Sequence, residues 1–244
     1  EQAARTNSGI LSVMRHALPR YFLIFGSMVS TGGILRWFRD ELGHLERMIA
    51  EERGGDPYSV MDEEAQNAPT GSHLILLPYF LGERSPIWNP NARGVLLGLS
   101  MGTHRSDIIR AILEAAAYGI RHNLEALQNI GITPSQLRSI GGGSRSAVWA
   151  QIKADVTGLP IEVPAVSIGA AIGAAWTALA AVGAASLVDL AWKHYQPGRI
   201  FYPDLSRHAL YSEYYRVYRA TYDALREIFQ DLADLRRMAN ATGR

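Results

Sequence analysis

Apolar positions recur along this chain in two rhythms, and the switches between them mark the elements. Short apolar runs at 9–14 and 21–29 predict two strands joined around Pro19. Ser30-Thr31-Gly32-Gly33 reads as a glycine turn, followed by a helix carrying Ile34, Leu35, Trp37 and Phe38. Residues 44–68 predict short helices broken at Gly54-Gly55-Asp56-Pro57. A buried strand follows at 74–80, then an irregular loop from Gly82 to Gly94 that is rich in proline and glycine, then a strand at 95–99.

The longer elements show helical spacing. From about residue 106 to 130, Ile108, Ile112, Ala116, Ile120, Leu124 and Leu127 fall on one face, and Gly131 closes the run. Leu137 and Ile140 form a short apolar run ahead of Gly141-Gly142-Gly143. Val148, Ile152 and Val156 then recur every four residues up to Gly158, which is placed to end that helix. Residues 161–163 predict a strand and 169–182 a small-residue helix. In the last helix, about 207–238, Tyr211, Tyr215, Tyr218, Tyr222, Leu225, Phe229 and Leu232 alternate on four- and three-residue steps. Such an aromatic stripe faces a core more often than a ligand. Strands interspersed with helices predict an α/β layered domain.

Composition narrows the function classes. A chain of 244 residues can bury a large core. A net charge of +1 with 19% charged residues marks no nucleic-acid surface. The absence of cysteine excludes a disulfide scaffold and thiolate metal sites and fits a reducing, cytoplasmic setting. Seven scattered histidines form no zinc-binding pair. No signal pattern opens the sequence. Residues 165–188 carry no charge, yet they are mostly alanine, which drives membrane insertion poorly, so a buried helix is expected there.

The stretch with the most chemistry is 137–159. A strand, a glycine turn and a helix start together make an anion site, because glycines let backbone approach a ligand and the helix start aims free N–H groups at phosphate. Ser144 and Ser146 can cap the helix or donate to a ligand, and Arg145 adds charge. The same triplet also serves plain tight packing. It is neither a Walker A loop nor G-x-G-x-x-G, since Ser146 stands where the last glycine would be, which disfavours a dinucleotide oxidoreductase.

Four ordered motifs carry a resemblance. Gly94-Val-Leu-Leu-Gly98-Leu99, seven residues, then Asp107-Ile108-Ile-Arg-Ala111-Ile112-Leu113-Glu114 resembles the second signature of the FGGY carbohydrate kinases at every specified position. Gly82-Glu83-Arg84-Ser85-Pro86, Gly32-Gly33-x-x-Arg36-Trp37-x-Arg39-Asp40, and the triglycine with Ala154-Asp155-Val156-x-Gly158 are similar to the same family in the same order, with xylulokinase-like members nearest. The resemblance covers the chain from about Arg15 onward. It implies the actin-like ATPase, ribonuclease-H-like fold, a mixed sheet flanked by helices. Residues 1–244 would be one domain, the C-terminal nucleotide-binding half of a sugar kinase.

By position, the resemblance assigns Gly141, Gly142 and Gly143 to the nucleotide phosphates and Ser144, Arg145 and Ser146 to the adenosine end. Gly32 and Gly33 would approach from the facing turn. ATP with Mg²⁺ is the implied cofactor, and a pentulose or similar polyol, held by an N-terminal domain, the implied phosphate acceptor. The family's general base is an aspartate ahead of this domain with no match here, so the chain alone is expected to be inactive and contributes no catalytic residue. Thr6-Asn7-Ser8-Gly9 is a degraded counterpart of the family's first phosphate-contacting strand, and Ile168 stands where many members have an acidic residue. A non-catalytic nucleotide-binding or interaction module is the alternative. Neither nucleic acid nor membrane is an expected partner, and the oligomeric state is open, a homodimer included.

Overall fold

The computed structural model describes residues 11–166 and 169–242. The stretch Thr6-Asn7-Ser8-Gly9, the start of the first expected strand and Ile168 lie outside them.

The chain opens with a hairpin, β1 (Ser12–Arg15) against β2 (Phe22–Phe25), antiparallel with Ser12 opposite Phe25. Three helices follow: α1 (Thr31–Glu41), α2 (His44–Arg53) and α3 (Pro57–Asn67). Gly54 ends α2 in the left-handed conformation, and Asp56 starts α3 by accepting the Tyr58 N–H at 3.0 Å, with Pro57 at the first helical position. A second antiparallel pair joins β3 (Ile75–Leu77) to β4 (Val95–Leu97). The long helix α4 (Arg105–Gln128) comes next, then β5 (Leu137–Arg138), the triglycine turn, and α5 (Ala147–Thr157). A three-stranded sheet of order β5-β6-β7 is completed by β6 (Ile161–Val163), parallel to β5, and β7 (Arg199–Phe201), antiparallel to β6. Between those two strands lie α6 (Ala170–Ala181) and α7 (Leu187–His194), and α8 (Leu205–Thr242) closes the chain.

Helix α4 is the hub. The single apolar face expected for it is too narrow a description: every residue from Ile109 to Gly119 is buried, because α1, α3, α5 and β3 pack around it and the tyrosines of α8 cover the rest. Tyr118 of α4 touches the rings of Tyr211, Tyr215 and Tyr218 at centroid distances of 6.2, 6.2 and 5.4 Å. The terminal stripe of α8 is therefore core as far as Phe229, with Tyr211, Tyr215, Tyr218 and Tyr222 all buried, while Leu232 is exposed. Burying aromatic rings at this density stabilises by both area and edge contacts.

Three expectations change. Thr31, Gly32 and Gly33 form the first turn of α1 rather than a loop ahead of it. The charge-free helix α6 buries none of its residues, since its main neighbour is α7 alone. A sequence without charge tolerates burial but does not create a partner. Among the described residues the strands fall into three small sheets, and α7 and β7 complete a stretch in which only α6 was expected. No helix among the described residues is long and apolar enough to cross a membrane.

Candidate functional site

Two helix starts converge on one cavity of about 510 Å³. The first is α1. Its N-cap residue, Ser30, makes no side-chain cap, and its buried hydroxyl has no partner among the described residues. Ile34 N–H makes the helix's first backbone bond, to Ser30 O at 3.3 Å. The N–H groups of Thr31, Gly32 and Gly33 are thus the donors that a helix start leaves without an intrahelical acceptor. A Cβ on Gly32 or Gly33 would meet nothing within 4 Å, so glycine here keeps surface open rather than relieving a clash.

The second start is the triglycine turn. Gly141 has φ 83°, a conformation that favours glycine, and Gly142–Ser144 make one 3₁₀ turn. Ser146 then caps α5, its hydroxyl accepting the Trp149 N–H at 3.0 Å. That hydroxyl also donates to Asp62 Oδ1 of α3 at 2.7 Å, which ties the turn to the third wall of the cavity. Asp62 is held above the usual carboxylate range by burial, with the Ser146 bond opposing.

The cavity brings together Gly32, Gly142, Gly143, Arg145 and Ser146. Gly33, Gly141 and Ser144 lie off its lining. The Ser144 hydroxyl is turned inward and donates to Gly141 O at 2.7 Å, bracing the turn. Arg145 is exposed at the rim. Sequence reasoning missed the α3 wall (Asp56, Tyr58, Ser59, Asp62), together with Leu35, Arg36 and Trp149. Nothing local in 56–62 marks it, because its role depends on how α3 packs beside α5. Trp149 carried a readable signal: it sits three residues after the capping serine and faces back under the turn.

The arrangement suits a ligand with a flat polar group and an anionic tail. Apolar surface comes from Leu35 and Trp149, and Tyr58 is held by the Arg39 guanidinium 5.3 Å from its ring centroid. Arg36 and Arg145 supply positive charge at the mouth, and the two starts supply backbone donors. Among the described residues no group of three or more histidine, cysteine or acidic side chains could hold a metal by itself.

Over residues 1–182 the chain matches the FGGY family of carbohydrate kinases, C-terminal domain. The chain belongs to this family. It is 36% identical over 185 residues to a glycerol kinase of Stenotrophomonas maltophilia, covering 75% of this chain and 35% of that protein. Against a gluconokinase of Bacillus subtilis it is 37% identical over 171 residues, covering 69% and 33%. The solved xylulose kinase from Rhodospirillum rubrum superposes with a TM-score of 0.75 at 33% identity, covering 91% of this chain and 43% of that one. This FGGY domain is accordingly the mixed α/β, actin-like ATPase type. It spans about a third of the length of the curated relatives it matches. Those relatives divide among glycerol, gluconate and xylulose kinases, so the likeness extends across the family and not to xylulokinases alone.

The other family motifs serve the scaffold. Glu114 is buried, paired with Arg110 at 2.8 Å, and accepts from Tyr211 and the Gly71 N–H. Asp155 accepts the Asp204 N–H at 2.9 Å and so anchors the start of α8. Glu83 binds the N–H groups of Val29 and Arg84 at 2.8 and 2.9 Å, bracing the segment that leads into α1. His122 of α4 has its Nδ1 buried with no partner among the described residues, and burial lowers its pKa to about 4.

Proposed function

We propose that this FGGY domain holds the nucleotide of an ATP-dependent sugar kinase whose intact form transfers the γ-phosphate to a hydroxyl of a pentulose or similar polyol. The observation that carries the reading is the convergence of the α1 start and the triglycine turn on one cavity, in a chain of this family. Phosphoryl transfer depends mostly on positioning and charge stabilisation, which backbone donors at two such starts can supply on the nucleotide side. In this reading the base and ribose lie against Leu35, Tyr58 and Trp149, with Arg145 and Ser146 at that end. The phosphates run past Gly32, Gly142 and Gly143.

Magnesium fits as a passenger on the phosphates, since such ions take one or two carboxylates plus phosphate oxygens rather than an all-protein cage. When bound it would neutralise charge developing on the transferred group. Asp56 and Asp62 are the carboxylates that line the cavity, each with its Oδ1 engaged, by the Tyr58 N–H and by the Ser146 hydroxyl, so the ion would be held mainly by phosphate oxygens and water. The acceptor hydroxyl and its general base belong, in this proposal, to parts of the kinase beyond the single domain formed by residues 1–244.

Calorimetric titration of ATP and ADP with magnesium into the 244-residue chain tests the nucleotide half. A second assay follows ADP release with and without pentuloses, gluconate and glycerol. Nucleotide binding with no sugar-stimulated turnover is the expected pair of results. Absence of binding removes the nucleotide reading, and sugar-stimulated turnover by this chain alone removes the assignment of the base elsewhere.

A further inference from the structure

Lys153 has surroundings that its fold does not require. It stands in the middle of α5 with its side chain only 8% exposed, and among the described residues no carboxylate pairs with it. Its ammonium donates to Ser139 Oγ at 3.2 Å and lies 4.4 Å from the centroid of the Trp149 ring. Burial alone lowers its pKa to about 8. Lysine is almost never this buried without a partner, because the desolvation of the charge is left uncompensated.

Lys153 lines a second cavity, of about 570 Å³. Gly32, Gly143 and Trp149 line both cavities, so the two meet across the gap between the α1 start and the triglycine turn. Thr31 and Gly32, with their free helix-start N–H groups, form part of its wall. Lys153 is the one formally charged side chain among the described residues that line it, so the cavity holds a buried positive charge and no negative one. The remaining walls are largely apolar (Met28, Ala116, Ile120, Leu124, Leu127 and Ile140), so an anion entering the cavity would meet that charge and no opposing one.

We propose that this second cavity is a phosphate pocket, in which the Lys153 ammonium and the α1 donors hold the phosphate chain of a nucleotide whose base occupies the first cavity. The assignment of the base end rests on the nucleotide reading above; the anion pocket rests on Lys153 and the cavity. Ser139 and the Trp149 ring orient the amine, and an arriving phosphate supplies the charge partner it lacks.

The test uses the full 244-residue chain, as wild type, Lys153→Met and Lys153→Arg, titrated calorimetrically with adenosine, ADP and inorganic pyrophosphate. Removing a buried unpaired charge leaves a side chain of similar volume, so Lys153→Met should fold, and its thermal transition is recorded alongside. The expected result is a loss of about 10- to 100-fold in ADP and pyrophosphate affinity in Lys153→Met, adenosine staying within about twofold, and Lys153→Arg retaining most of the affinity. Unchanged ADP and pyrophosphate affinity in Lys153→Met overturns the proposal, as does an equal loss for adenosine. Failure of the wild type to bind either phosphate compound overturns it as well. Pyrophosphate binding that depends on Lys153, with no binding of adenosine or advantage for ADP, sustains the anion pocket and removes the nucleotide reading instead.

Discussion

The indole of Trp149 lies directly against Gly143: a Cβ built on that glycine would come within 2.7 Å of the ring. The ring has no freedom to yield, because its Nε1 donates to Leu113 O of α4 at 3.0 Å and it is buried. Gly142, next door, faces open space. Gly143→Ala should therefore cost about 1–3 kcal/mol through overpacking, whereas Gly142→Ala should stay within about 0.5 kcal/mol. Urea denaturation of both variants checks the order. Gly142→Val then isolates function, expected to weaken ADP binding while the fold persists. An equal cost for the two alanine variants would mean that the Trp149 ring is not the constraint.

The parts of this fold legible in the sequence were those fixed by local pattern. The left-handed glycine Gly158 ends α5 as its spacing implied, and Tyr211, Tyr215, Tyr218, Tyr222 and Phe229 bury the stripe that their spacing drew. The triglycine turn was readable as a strand–turn–helix junction because Gly141, Ser146 and the apolar repeat of α5 are adjacent in sequence. What was hidden depends on distant packing. Asp62 meets Ser146 across 84 residues, Lys153 becomes buried because the β5–α5 junction folds over it, and α6 is exposed because its main neighbour among the described elements is the short helix α7. No local rhythm encodes any of these.

The far end of the α8 stripe divides at Phe229. That ring is 3% exposed and stacks on Tyr222 at 6.3 Å, while Leu232 is 38% exposed. Phe229→Ala should cost about 3–5 kcal/mol, and Leu232→Ala less than about 1 kcal/mol. Matched denaturation series decide it. A small loss for Phe229→Ala would place that part of α8 outside the core.

Glu114 should be one of the most sensitive polar positions. Its carboxylate receives Arg110 Nε at 2.8 Å, Tyr211 OH at 2.8 Å and Gly71 N–H at 3.0 Å, and Arg110 in turn donates to Ala65 O at 2.9 Å. Removing it strands a buried guanidinium. Glu114→Leu is expected to cost about 3–5 kcal/mol, and the double variant Glu114→Leu, Arg110→Met less than the sum of the two single losses, because both charges leave together. Double-mutant thermodynamics measure this; strict additivity of the two losses would show that the pair is not coupled.

Glu83 should make stability depend on pH in a direction opposite to an ordinary surface carboxylate. Burial pushes its carboxyl up to about 7, and the N–H bonds from Val29 and Arg84 offset only part of that. Its Oε2 is buried without a partner among the described residues, so the charged form is the one the fold disfavours. With the folded value above the ordinary 4.5, the folded state binds the proton more tightly than the unfolded chain. The resulting stabilisation is full below the unfolded value and is lost as pH rises through about 7. Glu83→Gln keeps an oxygen to accept the two N–H bonds and cannot ionise. The variant should gain on the wild type as pH rises, from near equality at about pH 4.5 to an advantage on the order of 1–3 kcal/mol at about pH 8. Comparing the two proteins at each pH cancels the titration of every other group that the substitution leaves alone. A difference constant across that range, or a variant weaker than wild type at the alkaline end, would show that Glu83 is ionised in the fold and stabilised by something beyond the two backbone bonds.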